Sequence, residues 1–150
     1  MEWFLLDYPA HRMHRDYVQR LNRLYRDTPA LWQDDHSWEG FHWLDADDSA
    51  QSILLFRRTG REKTKAVTVL LNFQPNVYSD FRIGVPYPGQ YRELFNSDAG
   101  PFGGSGKENP GILKAEPIPC HGEKWSVCVQ VPPIGGILLQ KIPKKRAKQK

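Results

Sequence analysis

Hydrophobic and polar positions divide the chain into one helical stretch followed by a series of short strand-like runs. Between His11 and Arg26, the apolar residues Met13, Tyr17, Val18, Leu21, Leu24 and Tyr25 recur at one-, three- and four-residue steps. That spacing lays them along one face of an amphipathic helix. Arg12, Arg15, Asp16, Gln19, Arg20, Asn22, Arg23 and Arg26 fill the other face. Pro29 disfavours helical geometry at Thr28, so the helix is expected to stop about there. A lone amphipathic helix has to bury its stripe on something, either the rest of this chain or a partner. Beyond it the period shortens. Gly40–Asp45, Ser52–Arg58, Ala66–Phe73, Phe81–Val85, Gln90–Phe95, Trp125–Val131 and Ile137–Ile142 read as strands, with Ile112–Glu116 a weaker one. In Trp125–Val131, Trp125, Val127, Val129 and Val131 fall on one face.

Turn residues punctuate these runs: Asp45–Ser49, Thr59–Arg61, Gln74–Asn76, Pro86–Gly89 and Pro132–Gly136. About eight short strands at this spacing predict a mainly β fold, an antiparallel two-sheet β-sandwich preceded by one amphipathic helix. The expected division is 1–35 for the helical segment, 36–142 for the sandwich and 143–150 for a tail.

Composition supports an ordered body. Of 150 residues, 39% are hydrophobic and 12% aromatic, which argues against disorder throughout. The net charge of +4 suggests a nucleic-acid partner until its position is considered. Lys144, Lys145, Arg146, Lys148 and Lys150 form a basic end with no acid among them; without those five charges the +4 becomes −1. The body is near neutral, and neither nucleic acid nor a membrane is an expected partner. Trp3–Leu6, the apolar run nearest the start, is too short and too acidic in its flanks for a signal peptide. Cys120 and Cys128 have no metal-ligand or redox spacing and read as reduced thiols, which suits the cytoplasm.

The motif-like stretches are weak when counted out. Gly103-Gly104-Ser105-Gly106-Lys107 resembles a phosphate loop, but Pro101 stands at the first glycine position and Glu108 where Ser or Thr should hold magnesium. Asp45, Asp47 and Ser49 have calcium-loop spacing, yet Ala50 and Phe56 occupy the glycine and glutamate positions, leaving a self-bonded turn as the expectation. His11 and His14 lack evident partner ligands. Asp34–Asp35 and Asp47–Asp48 are adjacent acids in polar stretches and do not imply a cleft. No metal or cofactor is expected. Aromatic residues carry more promise, because flat rings stack on the apolar faces of sugars. Trp32, Trp38, Tyr78 and Tyr87 lie in polar or turn-rich surroundings and are the candidates for sugar contact. Trp43 and Trp125 sit in strand patterns and are expected in the core.

A series of fragments, in order, carries a family resemblance. Trp3–Leu6, Val18–Arg26 and Pro29–Leu31 are followed by Gly40–Leu44, then by Asn72-Phe73-Gln74-Pro75, Phe81–Pro86 and Gly89–Glu93. Asn96–Asp98, Gly103–Gly106, Glu116–Gly122 and Val131–Pro133 complete it. From about Trp3 to Lys141 the chain resembles the C-terminal end of bacterial 1,4-α-glucan (glycogen) branching enzymes of the α-amylase superfamily. Gln74 departs from the family's Asn-Phe-Thr-Pro, and Cys120 stands where Trp or Ser is expected. The basic end beyond Ile142 lies outside the pattern.

The resemblance implies that residues 1–35 contain the last helix of a catalytic (β/α)8 barrel and that 36–142 form the α-amylase-type C-terminal sandwich. It implies transglycosylation: cleavage of an α-1,4 bond and transfer of the chain to a 6-hydroxyl. The family's nucleophilic Asp, acid/base Glu and second Asp lie upstream of everything in this sequence, so no catalytic residue is carried over. The implied partners are α-1,4-glucan or glycogen and the barrel itself. An autonomous α-glucan-binding module is the alternative reading. A basic-tailed nucleic-acid binder is the weakest.

Overall fold

The computed structural model describes residues 2–143; the basic run from Lys144 to Lys150 lies outside the described residues. Helix α1 spans Pro9–Asp27, with short 3-10 turns at Trp3–Asp7 before it and Pro29–Leu31 after it. Eight strands follow among the described residues: β1 Phe41–Asp48, β2 Ile53–Arg58, β3 Val67–Asn72, β4 Tyr78–Val85, β5 Gln90–Asn96, β6 Leu113–Lys114, β7 Trp125–Val131 and β8 Gly135–Lys141. They form two antiparallel sheets, one six-stranded in the order β1-β2-β3-β8-β5-β6, the other the pair β4-β7.

β1 and β4 run furthest beyond the expected bounds. The pairing of β1 with β2 slips between Trp43 and Asp45 and again between Asp45 and Asp48, so the strand carries a polar run expected to be a turn. Such bulges absorb extra residues without ending the ladder. A similar slip between Tyr78 and Phe81 lets β4 begin at Tyr78.

β3 lies in the middle of the large sheet, between β2 and β8. Its register sets Leu70 opposite Leu55 on one side and Ile137 on the other. These three, with Ile53, Tyr91 and Leu139, meet Ile83, Val85, Val127, Val129 and Val131 of the small sheet in the main core. Each large side chain buried there contributes roughly 1.5–3 kcal/mol. The small sheet therefore has only to cap one face of the large one. The opposite face of β3 is apolar too. Val67 and Val69 are buried beneath Ala30, with Leu31, Phe56, Leu71, Leu94 and Leu138 around them. A strand covered on both faces has no need to alternate, and Val67–Leu71 does not.

Pro9 opens α1 at its first turn, where a missing N–H costs nothing. At the other end the Trp32 indole Nε1–H donates to the free carbonyl of Arg26 (3.3 Å), closing the terminus. The apolar stripe divides between two environments. Tyr17 packs on Phe95 and Phe102, with ring centroids 5.5 and 5.4 Å away, and the Met13 side chain reaches Gly103. Leu21 and Leu24 are half-buried on the same side. Val18 and Tyr25, expected on the buried stripe, are exposed. Trp3, Phe4 and Tyr8 are exposed as well, and no residue of α1 is fully buried.

Candidate functional site

The glycine-rich loop after β5 already encloses an anion, its own Asp98. The Asp98 carboxylate accepts from the Ser105 N–H (2.8 Å), the Ser105 hydroxyl (2.6 Å) and the Lys107 N–H (3.0 Å). The Gly106 N–H donates to the Asp98 carbonyl at 2.8 Å. Gly103 turns through a φ of +86°, and a Cβ on Gly104 would collide with the Asp98 backbone, so the loop needs glycine at both positions. Donors that a bound phosphate would require are thus spent inside the loop. Burial acts to raise the Asp98 pKa, but Ser105, the Lys107 N–H and the Lys107 charge together outweigh it and hold the group below the ordinary range. Its stabilising contribution is complete above about pH 4 and is lost as pH falls through the depressed value.

The far end of the loop is tied to both sheets. Asn109 donates from Nδ2 to Glu93 Oε2 on β5 (2.7 Å) and to the Gln130 carbonyl on β7 (2.8 Å), while its Oδ1 accepts the Gln130 N–H (2.7 Å). Asn96 Nδ2 adds a contact to Glu93 Oε2 (3.2 Å) and one to the Lys107 carbonyl (2.8 Å). Burial raises the Glu93 pKa against these donors. Glu93 is the strut around which the loop is assembled, with its acceptor positions occupied by amides rather than aimed at open space.

Four further aspartates are likewise engaged one by one. Asp34 accepts the Ser37 hydroxyl (2.6 Å) and N–H (3.1 Å), and Ser37 is the first cause of its lowered pKa. Asp35 pairs with Arg58. Asp45 and Asp48 accept backbone N–H groups from Asp47 (3.2 Å) and Gln51 (2.9 Å), the self-bonding expected of that segment. His121 accepts the Gly84 N–H at Nδ1 (3.2 Å) and faces Asp45 at 3.8 Å through Nε2. Burial lowers its pKa against the pull of Asp45 and Asp48, so it stands neutral at pH 7 with the proton on Nε2. Burial also pushes the Cys120 thiol up, the reverse of what a nucleophilic cysteine needs. Among the described residues no three His, Cys, Asp or Glu side chains converge as a metal site.

Of the four aromatic candidates, two come together. Trp38 and Tyr87 line one groove of about 270 Å³, with Glu39, His42, Arg57 and Lys63 on its walls. Trp38 is 96% exposed. Its backbone is nonetheless fixed, in a turn where the Gly40 N–H donates to the Ser37 carbonyl (3.2 Å) and Asp34 clasps Ser37. A Cβ on Gly40 would strike the Asp34 carbonyl. Gly40→Ala is therefore expected to cost about 1–3 kcal/mol and to move the Trp38 turn, read by urea denaturation and by Trp38 indole NMR shifts. Tyr87 is held through its carbonyl, which accepts the Tyr91 hydroxyl (2.8 Å), and through its ring, which has the Lys141 ammonium 5.1 Å from its centroid. Trp32 closes the end of α1 instead, and Tyr78 packs on the main core beside Phe81. Trp125 also packs on the main core, as expected. The expectation for Trp43 fails: it is 49% exposed, because its pairing with Phe56 puts it on the outer face of the large sheet, where its ring packs against Phe41 and Phe56.

A two-sheet core carrying a loop built around its own carboxylate defines an antiparallel β-sandwich. Residues 43–141 match the family of the alpha amylase C-terminal all-beta domain, and the chain belongs to that family. Among individual proteins, it is 43% identical over 140 residues to the 1,4-alpha-glucan branching enzyme GlgB of Desulfitobacterium hafniense, covering 93% of this chain and 22% of that protein. The GlgB of Halothermothrix orenii is 39% identical over 140 residues with the same coverage, and GlgB 1 of Xanthomonas euvesicatoria 45% identical over 139 residues, covering 93% and 19%. The chain thus spans about a fifth of the length of these relatives. No helix among the described residues is long and apolar enough to cross a membrane.

Proposed function

We propose that this chain is the non-catalytic C-terminal end of a 1,4-α-glucan branching enzyme, which places α-1,6 branches in glycogen by transglycosylation in the cytoplasm. Residues 1–35 end the (β/α)8 barrel, and residues 36–142 form a sandwich that braces it. The observation that carries this reading is the pairing of nearly full coverage of this chain with a fifth of each relative. The acidic residues add support, since Asp34, Asp35, Glu93 and Asp98 are each committed to a turn, an ion pair or a loop. The exposed apolar residues Trp3, Phe4, Tyr8, Val18 and Tyr25 are the surface on which the barrel rests. Burying five such side chains outweighs the weak hold that the sandwich alone has on α1.

The test is a branching assay on amylose, followed by the fall in iodine colour. Activity is expected from a protein that joins this chain to its upstream barrel and not from the 150 residues alone. Activity in the short chain would overturn the reading.

A further inference from the structure

We propose that the groove between Trp38 and Tyr87 is a subsite for one or two glucosyl units in the interior of a long α-glucan chain; the proposal rests on the branching-enzyme reading for its choice of polymer. The groove joins segments distant in sequence: the Ser37–Gly40 turn, the start of β1, the Lys63–Lys65 3-10 turn, and the Pro86–Gly89 turn between β4 and β5. Its chemistry suits a neutral polyhydroxyl ligand. Two aromatic rings line it, and such rings can stack on the C–H surfaces of a pyranose. Glu39, His42, Arg57, Thr59 and Lys63 offer donors and acceptors for hydroxyls. The charges are balanced rather than summed. Arg57 is already paired with Glu123, and Glu39 lines the same groove as Lys63, so an anion gains little here.

The rings are also prepared differently from ordinary surface aromatics. Lys141 and the Tyr91 hydroxyl hold Tyr87, so little freedom is lost when a sugar stacks on it. The Trp38 turn is fixed by Asp34 and by the close approach at Gly40, although its indole is almost wholly in water. At about 270 Å³ the groove lies just below the roughly 300–1,000 Å³ of sites that engulf a small molecule. It is open along its length and cannot grip a free sugar, but a chain can lie across it. Binding per groove is weak, and retention comes from a polymer that offers many equivalent stretches.

Electrophoresis of the 150-residue chain in native gels containing glycogen tests the assignment. Retardation is expected in glycogen and not in dextran, whose chain is α-1,6-linked. Trp38→Ala and Tyr87→Ala should each weaken it by about tenfold, the scale of a single aromatic anchor, and the double variant should abolish it. Trp32→Ala, remote from the groove, should leave it unchanged. Maltoheptaose should compete at far lower concentration than glucose. Unaltered far-ultraviolet circular dichroism and urea midpoints in the Trp38 variant, expected from its exposure, exclude misfolding as the cause. No retardation of the wild type, equal retardation in dextran, or full retention by the double variant would overturn the proposal. Each of these outcomes leaves the branching assay free to succeed, so failure of the groove is distinguishable from failure of the wider reading.

Discussion

Asn109→Ala is expected to destabilise the sandwich by about 2–4 kcal/mol at neutral pH, and by clearly less at pH 4.5. The side chain makes three hydrogen bonds, one of them to a carboxylate, and it alone links Glu93 on the large sheet to Gln130 on the small one through a single residue. Its loss leaves the half-buried Glu93 with only Asn96 as a side-chain donor. The pH dependence follows from the sign of the Glu93 shift. Burial raises its pKa in the folded chain above the ordinary glutamate value. A raised carboxyl contributes stability below its unfolded pKa and loses it as pH rises through the folded value. Asn109 holds that value down by donating to the ionised form, so the alanine variant raises it further and suffers most where Glu93 must be charged. At pH 4.5 much of that penalty is gone. Asp98 does not confuse the comparison, since its depressed pKa acts only below about pH 4. Urea midpoints at pH 7 and 4.5 measure the difference. The double variant Glu93→Gln/Asn109→Ala should have no such difference; an equal loss at both pH values in the single variant would show that Glu93 takes no part.

The strands were readable because their periodicity is local. β7 alternates cleanly, and its small, inward-facing set of valines meets the large sheet as the pattern demands. β1 and β4 run past the bounds that periodicity predicts because bulges let polar residues continue a ladder, and a bulge has no local signature in Asp45–Asp48 or Tyr78–Asp80. The uneven division into six and two strands rests on which strand pairs with which, and β3 meets β8 only through long-range contact. The same limit applies to sites. Asn96 bonding to the Asp98 N–H is a local turn that sequence can suggest. The closing of Asp98 on Ser105 and Lys107 is not local, and neither is the meeting of Trp38 with Tyr87. Trp43 misled because an alternating strand with two apolar faces does not reveal which face will be covered. Even so, the order of fragments from Trp3 to Lys141 identified the family that residues 43–141 match.

In hydrogen exchange on the isolated chain, the amides of α1 are expected to be about a thousandfold less protected than those of β3 and β8. The two ends of that range have different physical origins. β3 exchanges only when both layers open, because Val67, Leu70 and their neighbours are buried from above and below. Its protection therefore tracks global unfolding, on the order of 5–15 kcal/mol for a domain. α1 has no fully buried residue and touches the sandwich mainly through Tyr17 on Phe95 and Phe102. Most helical stability in proteins comes from tertiary packing, and α1 has little of it, so it opens locally while the sandwich stays folded. A gap of about 4 kcal/mol in opening free energy corresponds to the thousandfold ratio. If the proposed barrel covers Trp3, Phe4, Tyr8, Val18 and Tyr25, joining it to the chain should erase much of that gap. Deleting residues 1–27 should likewise leave the urea midpoint of the sandwich nearly unchanged. If the helix of the isolated monomer were protected as strongly as β3, at concentrations too low for self-association, its weak docking would be disproved, and with it the idea that α1 draws its stability from a partner body.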